Sequence, residues 1–203
     1  MKSSISKFFL VACLFLGWAN TSAQMIKTPT PKRAKGQTDV LRLAIDPIPT
    51  VRVAFIGLGM RGPGAVERMT HISGVEIVAL CDLLEDRAKS ANKILEKAGL
   101  PKAQEFYGEE GWRQVTKLPN VDLVYIATDW KHHAEMGVQA MKDGKNVAIE
   151  VPGAMTMEEI WNLVNTSEKT RKHCMMLENC VYDFVELTPL SKDQHGLFVE
   201  LLP

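Results

Sequence analysis

Residues 51–64, VRVAFIGLGMRGPG, decide the fold. Val51, Val53, Phe55 and Ile56 make an apolar run rich in β-branched side chains, which reads as a strand. The run ends in Gly57, Gly59 and Gly62, and a helix start follows. Glycines at this spacing between a strand and a helix are the fingerprint of a dinucleotide-binding turn. Gly57 permits the tight turn, Gly59 lets backbone approach a pyrophosphate with no Cβ in the way, and Gly62 lets the helix pack close to the strand. The helix N-terminus then offers free N–H groups and the positive end of its dipole to phosphates.

The next apolar run, Val75 to Leu80, leads into Cys81-Asp82, and Asp82 stands twenty residues after Gly62 at the predicted tip of a second strand. A carboxylate there can accept hydrogen bonds from the adenosine ribose hydroxyls and would repel a 2′-phosphate, so the predicted cofactor is NAD rather than NADP. A plainer reading also exists, in which Asp82 only caps a helix starting near Leu84.

From Val51 onward, strands and helices alternate. Strands are predicted at 51–57, 75–81, 104–107, 121–127, 145–151 and 174–179. Helices are predicted at 62–72, 84–98, 109–116, 131–143 and 155–170, with Gly99, Pro101 and Gly144 as stops. Alternation of this kind implies an α/β fold, a doubly wound parallel sheet. Right-handed crossovers give the strand order 3-2-1-4-5-6 and a ligand crevice between strands one and four.

The 203 residues carry 24 basic and 24 acidic side chains, a balance without the basic excess that nucleic-acid binding requires. The N-terminus reads as a secretory signal peptide over residues 1–23. Lys2 and Lys7 precede an apolar stretch, Phe8 to Ala19, and Thr21-Ser22-Ala23 supplies the cleavage site. That stretch is too short for an integral membrane span, and the product is expected to be secreted or periplasmic. Leu10-Val11-Ala12-Cys13 offers a lower-ranked lipoprotein reading, since the apolar core continues past Cys13. Residues 24–50 hold four prolines and no sustained period, and read as a loose arm or linker. Cys81, Cys174 and Cys180 remain after the signal, an odd count and a poor disulfide framework. Cys174 and Cys180 on one strand would lie about 20 Å apart, too far to bridge. No spacing suits a metal site, so the thiols read as small buried apolar groups.

The carboxyl ends of strands four and five carry the remaining candidates. In Thr128-Asp129-Trp130-Lys131-His132-His133, Thr128 can cap a helix or touch a diphosphate. Trp130 can stack on a nicotinamide or ribose. His133 can orient a ribose or shuttle a proton, or lie solvated on the surface. Together with Ala140, Gly144, Lys145, Val147, Glu150 and Pro152, Thr128 and His133 resemble the Gfo/Idh/MocA oxidoreductase family, with its T-P-x-x-x-H, A-x-x-x-G-K-H-V and E-K-P motifs. The likeness covers about residues 51–182. One departure stands out: the lysine of E-K-P is Val151 here. The wording GLGMRG, TDWKHHAEMGVQAMKDGKNVAIEVP and MLENCVYDF closely resembles one branch, the NAD-dependent glycosidases of glycoside hydrolase family 109, which also carries valine at that place.

That resemblance implies an α-N-acetylgalactosaminidase acting on a glycan with terminal α-linked N-acetylgalactosamine. The sugar is transiently oxidised at carbon 3, the aglycone is eliminated, and water adds back. By carry-over, Gly57, Gly59, Met60, Arg61, Gly62, Asp82, Thr128, Trp130, Lys131, His132, His133, Glu150, Val151 and Asn179 bind the cofactor. Tyr182 and His133 stand as catalytic candidates, Tyr182 with a packing role as its alternative. Family members continue into a second α/β domain and can form homo-oligomers. Here residues 51–182 make the Rossmann domain and residues 183–203 a stub of a truncated second domain, so bindable NAD with little turnover is expected. An NAD-linked sugar oxidoreductase and a non-catalytic NAD-binding fragment are the alternatives.

Overall fold

The apolar run at 51 forms β1 (Val51–Ile56), and the glycine turn delivers the chain into α1 (Gly62–Met69). There follow β2 (Val75–Asp82), α2 (Glu85–Lys97), β3 (Gln104–Tyr107), α3 (Gly111–Thr116), β4 (Leu123–Ile126), α4 (Trp130–Lys142), β5 (Asn146–Glu150), α5 (Met157–Thr170) and β6 (Cys174–Leu177). The computed structural model describes residues 30–178. The predicted signal segment, Asn179, Cys180, Tyr182 and the predicted stub lie outside the described residues. The chain divides into two compact units, Met1–Lys32 and Arg33–Pro203, and all of these strands and helices belong to the second.

The six strands form one sheet in the order β3-β2-β1-β4-β5-β6, every pairing parallel, as expected from the alternation. Alternation along β1 divides the core in two. Ala54 and Ile56 join Val124, Ile126, Val147 and Ile149 on one face, covered by Trp112 and Val115 of α3, Ala134, Ala140 and Met141 of α4, and Leu163 of α5. Val53 and Phe55 join Ile77, Leu80, Tyr125 and Ala148 on the other, covered by Ala65 and Val66 of α1 and by Ala88, Ala91 and Leu95 of α2. The spacing of Ala88, Ala91 and Leu95 is the helical period that places all three on one stripe. Among the described residues, no helix is long and apolar enough to cross a membrane.

Two local expectations change. The first helix stops at Met69 rather than Ile72, where Thr70 turns its hydroxyl back onto the Glu67 carbonyl at 2.7 Å. Among the described residues before β1, 30–50, there is no helix or strand, yet residues 33–39 are anchored. Arg33 makes a two-pronged contact with the buried Glu168 of α5 at 2.7–3.0 Å, and Gln37 reaches Glu168 and Asn165 at 2.6 and 3.0 Å. Arg171, just past α5, donates to the carbonyls of Thr38 and Asp39. These anchors are isolated polar residues, which leave no periodic trace in a sequence.

Candidate functional site: the carboxyl edge of the sheet

The glycine turn is held from two sides. Gly57 has φ +95°, a left-handed conformation that favours glycine, and its N–H donates to the Cys81 carbonyl at 2.9 Å. A Cβ on Gly57 would sit 2.5 Å from the Ala127 carbonyl group, and one on Gly62 would run into the Gly57 carbonyl oxygen. The turn is therefore pressed against the end of β4, and α1 starts directly behind it. No side chain caps α1, and Pro63 in its first turn has no N–H to satisfy. The remaining N–H groups of that turn are available to an anion. Gly59 differs from its neighbours: only the Arg87 guanidinium, at 3.3 Å, lies near the place its Cβ would occupy, so the turn is open to an approaching ligand there.

Asp82 ends β2, is 6% exposed, and faces this turn. Its Oδ2 accepts the Leu58 N–H at 2.7 Å. Its Oδ1 accepts the Leu84 N–H at 3.0 Å and lies 3.4 Å from Arg87 Nη1. Asp82 thus binds the backbone entering α2 and is also locked to the glycine turn. A carboxylate has about four acceptor positions, and with Leu58, Leu84 and Arg87 on three of them one remains, on Oδ2, for a ribose hydroxyl.

On the other side of the turn, the ends of β4 and β5 are tied together. Asp129, not Thr128, caps α4, accepting the Lys131 N–H at 3.1 Å. Its second oxygen meets His132 Nδ1 at 2.7 Å. Thr128 keeps its hydroxyl on the Asp129 carbonyl at 3.3 Å. His133 is 1% exposed, which excludes a solvated surface role. Its Nδ1 lies 2.8 Å from the Pro152 carbonyl and its Nε2 3.2 Å from the Thr128 carbonyl, so the ring joins the two loops. Trp130, Met60 and Arg61 stand exposed along the same edge, with Trp130 60% accessible despite its size, and Val151 is half-buried beside Pro152.

Glu150 is fixed by a residue that no motif marks. Tyr125 of β4 donates its hydroxyl to Glu150 Oε1 at 2.8 Å. Burial first, then the Glu150 hydrogen bond and charge, push the Tyr125 phenol up to about 12, so it stays protonated and acts as the donor. Register explains the meeting: Tyr125 pairs with Ala148, and Glu150 lies two residues further along the same face. Arg87 is likewise unmarked by any motif; its only sequence signal is its place in the first turn of the helix behind Asp82. Lys145, part of the G-K motif, points away from this edge, donating to the Leu118 carbonyl, and burial lowers its pKa.

The contacts run without a break from Asp82 through Leu58, Gly57, Thr128 and His133 to Pro152. Backbone N–H groups at one helix start, an acid at the next strand and an exposed indole across the crevice are the donor, acceptor and stacking groups that a dinucleotide needs. The residues present fit NAD: Gly59 leaves room for the diphosphate, and Asp82 presents an acceptor for the ribose.

Comparison with known proteins agrees with this geometry. Residues 51–178 match the family model described as the oxidoreductase family, NAD-binding Rossmann fold. The chain is 65% identical over 178 residues to glycosyl hydrolase family 109 protein 1 of Bacteroides thetaiotaomicron, covering 87% of this chain and 38% of that protein. It is 57% identical over 206 residues to the protein of the same name from Bacteroides fragilis, covering 100% of this chain and 44% of that one. The chain therefore spans about two fifths of the length of these curated relatives. Among solved structures, myo-inositol dehydrogenase from Lactobacillus casei, in complex with NAD(H) and myo-inositol, superposes with a TM-score of 0.61 at 23% identity, covering 73% of this chain and 42% of that one. The fold, the crevice and the family match agree: this chain belongs to the Gfo/Idh/MocA oxidoreductase family and carries its NAD-binding Rossmann domain.

Proposed function

We propose that this chain is the nucleotide-binding part of an NAD-dependent glycosidase that removes terminal α-linked N-acetylgalactosamine. The observation that carries the cofactor half is the buried Asp82 carboxylate locked at 2.7 Å to the N–H of Leu58 inside the glycine turn. The glycosidase half is supported by relatives named for glycosyl hydrolase family 109 at 51–65% identity. It is also supported by Val151, which puts an aliphatic side chain where a simple dehydrogenase of this family would keep a proton-handling ammonium.

Bound NAD supplies a hydride acceptor that is restored at the end of each turnover, so the net reaction is hydrolysis. The chain's own groups prepare the site. The first turn of α1 holds the diphosphate, Asp82 takes the adenosine ribose, and Trp130 covers the nicotinamide end. His133 keeps the β4 and β5 loops at a fixed separation, and Tyr125 holds Glu150 toward the crevice. Tyr182 and Asn179 complete the reading on the sugar and cofactor sides. The paired-carboxylate arrangement of ordinary glycosidases is not required. In the same proposal the enzyme acts outside the cytoplasm, a reading supported by the signal-like pattern of residues 1–23.

The test is a chromogenic α-N-acetylgalactosaminide assayed alongside the nucleotide content of the purified protein. Retained NAD with glycoside cleavage and no accumulating NADH supports the reading. Steady NADH production from a free sugar replaces it with an NAD-linked sugar oxidoreductase. Retained NAD with no turnover leaves the chain a binding fragment of such an enzyme.

A further inference from the structure

We propose that Arg87 is a cofactor-binding residue, a guanidinium clamp that lies over the glycine turn and pairs with the diphosphate of NAD. The proposal rests on the cofactor reading above and adds to it a group that no motif marks. Arg87 Nη1 lies 3.3 Å from the place a Cβ on Gly59 would occupy, which is the opening through which a diphosphate approaches the turn. A donor at that distance is within contact of whatever enters the opening. The same Nη1 lies 3.4 Å from Asp82 Oδ1, an oxygen that already takes the Leu84 N–H at 3.0 Å. Charge-assisted N–H···O contacts close to about 2.7–2.9 Å when they are well made. The Asp82 contact is longer than that, so it leaves the guanidinium with donors to give to a stronger acceptor.

Electrostatics give the cation its purpose. The diphosphate is a dianion, and in the cofactor only the adenosine ribose separates it from the carboxylate assigned to that ribose. The Asp82 side chain is 5% exposed, so water and salt screen its charge poorly. The first turn of α2 adds Glu85, which is paired with Lys89 at 2.9 Å, and Asp86. Arg87 is the basic side chain of that turn, and it stands between the buried acid and the opening at Gly59. A cation placed between two anions offsets their repulsion. A guanidinium has five N–H donors in a fixed fork and pairs with phosphate oxygens in a bidentate manner, so it can serve the phosphate and the carboxylate together. Its side chain is 49% exposed, which leaves it room to turn. Asp82 keeps the Leu58 and Leu84 N–H groups when it does, so the acid is not stranded.

The experiment reads Arg87 in the full chain by two routes. In the first, isothermal titration calorimetry measures NAD binding to the wild type, Arg87→Gln and Arg87→Lys at low and at raised salt. Loss of one charge-assisted contact corresponds to about 10-fold or more in affinity, so Arg87→Gln should weaken NAD by that factor at low salt. Arg87→Lys keeps the charge and should weaken NAD less, and raised salt should narrow the gap between the wild type and Arg87→Gln. In the second, phenylglyoxal labels the exposed guanidinium groups of the wild type, and mass spectrometry of the peptides follows Arg87. Bound NAD should slow labelling at Arg87 and leave it unchanged at Arg52, which lies at the opposite end of β1. The labelling needs no variant, so it decides the matter even if neither variant folds. Affinity of Arg87→Gln within about threefold of the wild type overturns the proposal. A loss that is the same in both variants and at both salt concentrations also overturns it, because it marks a brace for Asp82 rather than a phosphate partner. So does labelling of Arg87 that bound NAD leaves unchanged. If the wild type binds no NAD, the cofactor reading itself fails, a result separate from a clamp that is missing while NAD still binds.

Discussion

The buried carboxylate of Asp82 accepts the N–H of Leu58 at 2.7 Å, tying the end of β2 to the turn that leaves β1. In the proposed site this contact would join cofactor affinity to local order, because the carboxylate assigned to the ribose also shapes the loop assigned to the diphosphate. Asp82→Ala is expected to weaken NAD by about 1–3 kcal/mol and to lower stability by a comparable amount, since the Leu58 N–H loses its buried acceptor. Calorimetric titration and denaturant unfolding measure the two effects. An unchanged dissociation constant would refute the assignment.

The three glycines of the turn should respond differently to alanine. At Gly62 the new methyl would collide with the Gly57 carbonyl, and at Gly57 it would meet the Ala127 backbone as well as the left-handed φ. Each should cost about 3 kcal/mol or more of stability. At Gly59 the only obstacle is a half-exposed guanidinium at 3.3 Å. Gly59→Ala should therefore unfold within about 1 kcal/mol of wild type and still lose NAD affinity by roughly 10-fold, because the methyl occupies the diphosphate approach. A Gly59→Ala protein that binds NAD normally would place the diphosphate elsewhere.

His133 joins the Thr128 and Pro152 carbonyls from a position with 1% exposure. Removing the ring leaves a cavity and takes away the ring nitrogens that lie against the two carbonyls, one of which accepts the imidazole N–H. His133→Ala is expected to destabilise the protein by about 2–4 kcal/mol. His133→Asn retains one donor and should recover part of that. A loss of NAD affinity that follows stability across the two variants would mark a positioning group. A loss of affinity with full stability would mark direct contact with the cofactor.

Acid stability should report the tethers at the sheet's flank. Hydrogen bonding to Arg33 leads in holding the Glu168 carboxyl below its ordinary value of 4.5, and hydrogen bonding to Arg52 leads in holding Asp122 below 3.8. A carboxyl with a lowered folded pKa binds fewer protons folded than unfolded. Its contribution is fully present above the ordinary value and is lost as pH falls through the folded value. Denaturant midpoints measured against pH should fall below pH about 4.5 for the wild type, and the fall should be shallower for Arg33→Ala. Parallel curves would mean that the arm contact contributes nothing in solution.

Phenol titration gives a further check. Tyr125 is held at about 12 by burial and by Glu150, so phenolate absorbance should show one tyrosine still protonated well above the ordinary value of 10.0. Glu150→Gln should bring that tyrosine down toward its ordinary range, because the opposing charge is removed while burial remains. A titration unaffected by Glu150→Gln would separate the two groups.

Much of this was legible in the order of residues. Strand runs, helix stops and the glycine spacing are local properties, and they carried the strand order through the handedness of parallel crossovers. Gly57, Gly62 and Asp82 were legible for the same reason, since a strand, a tight turn and a helix start leave few residue types free. Tertiary structure alone decided which groups meet. That Asp82 serves the Leu58 N–H as well as α2, that Tyr125 reaches Glu150, that Arg87 lies over Gly59, and that Arg33 crosses 135 residues to Glu168 depend on register and side-chain direction between segments far apart in the chain. Periodicity reports which face of an element is buried. It carries no information on which polar atom of another element waits there, because a single hydrogen bond needs its partners placed within a few tenths of an ångström and leaves no repeating pattern to read.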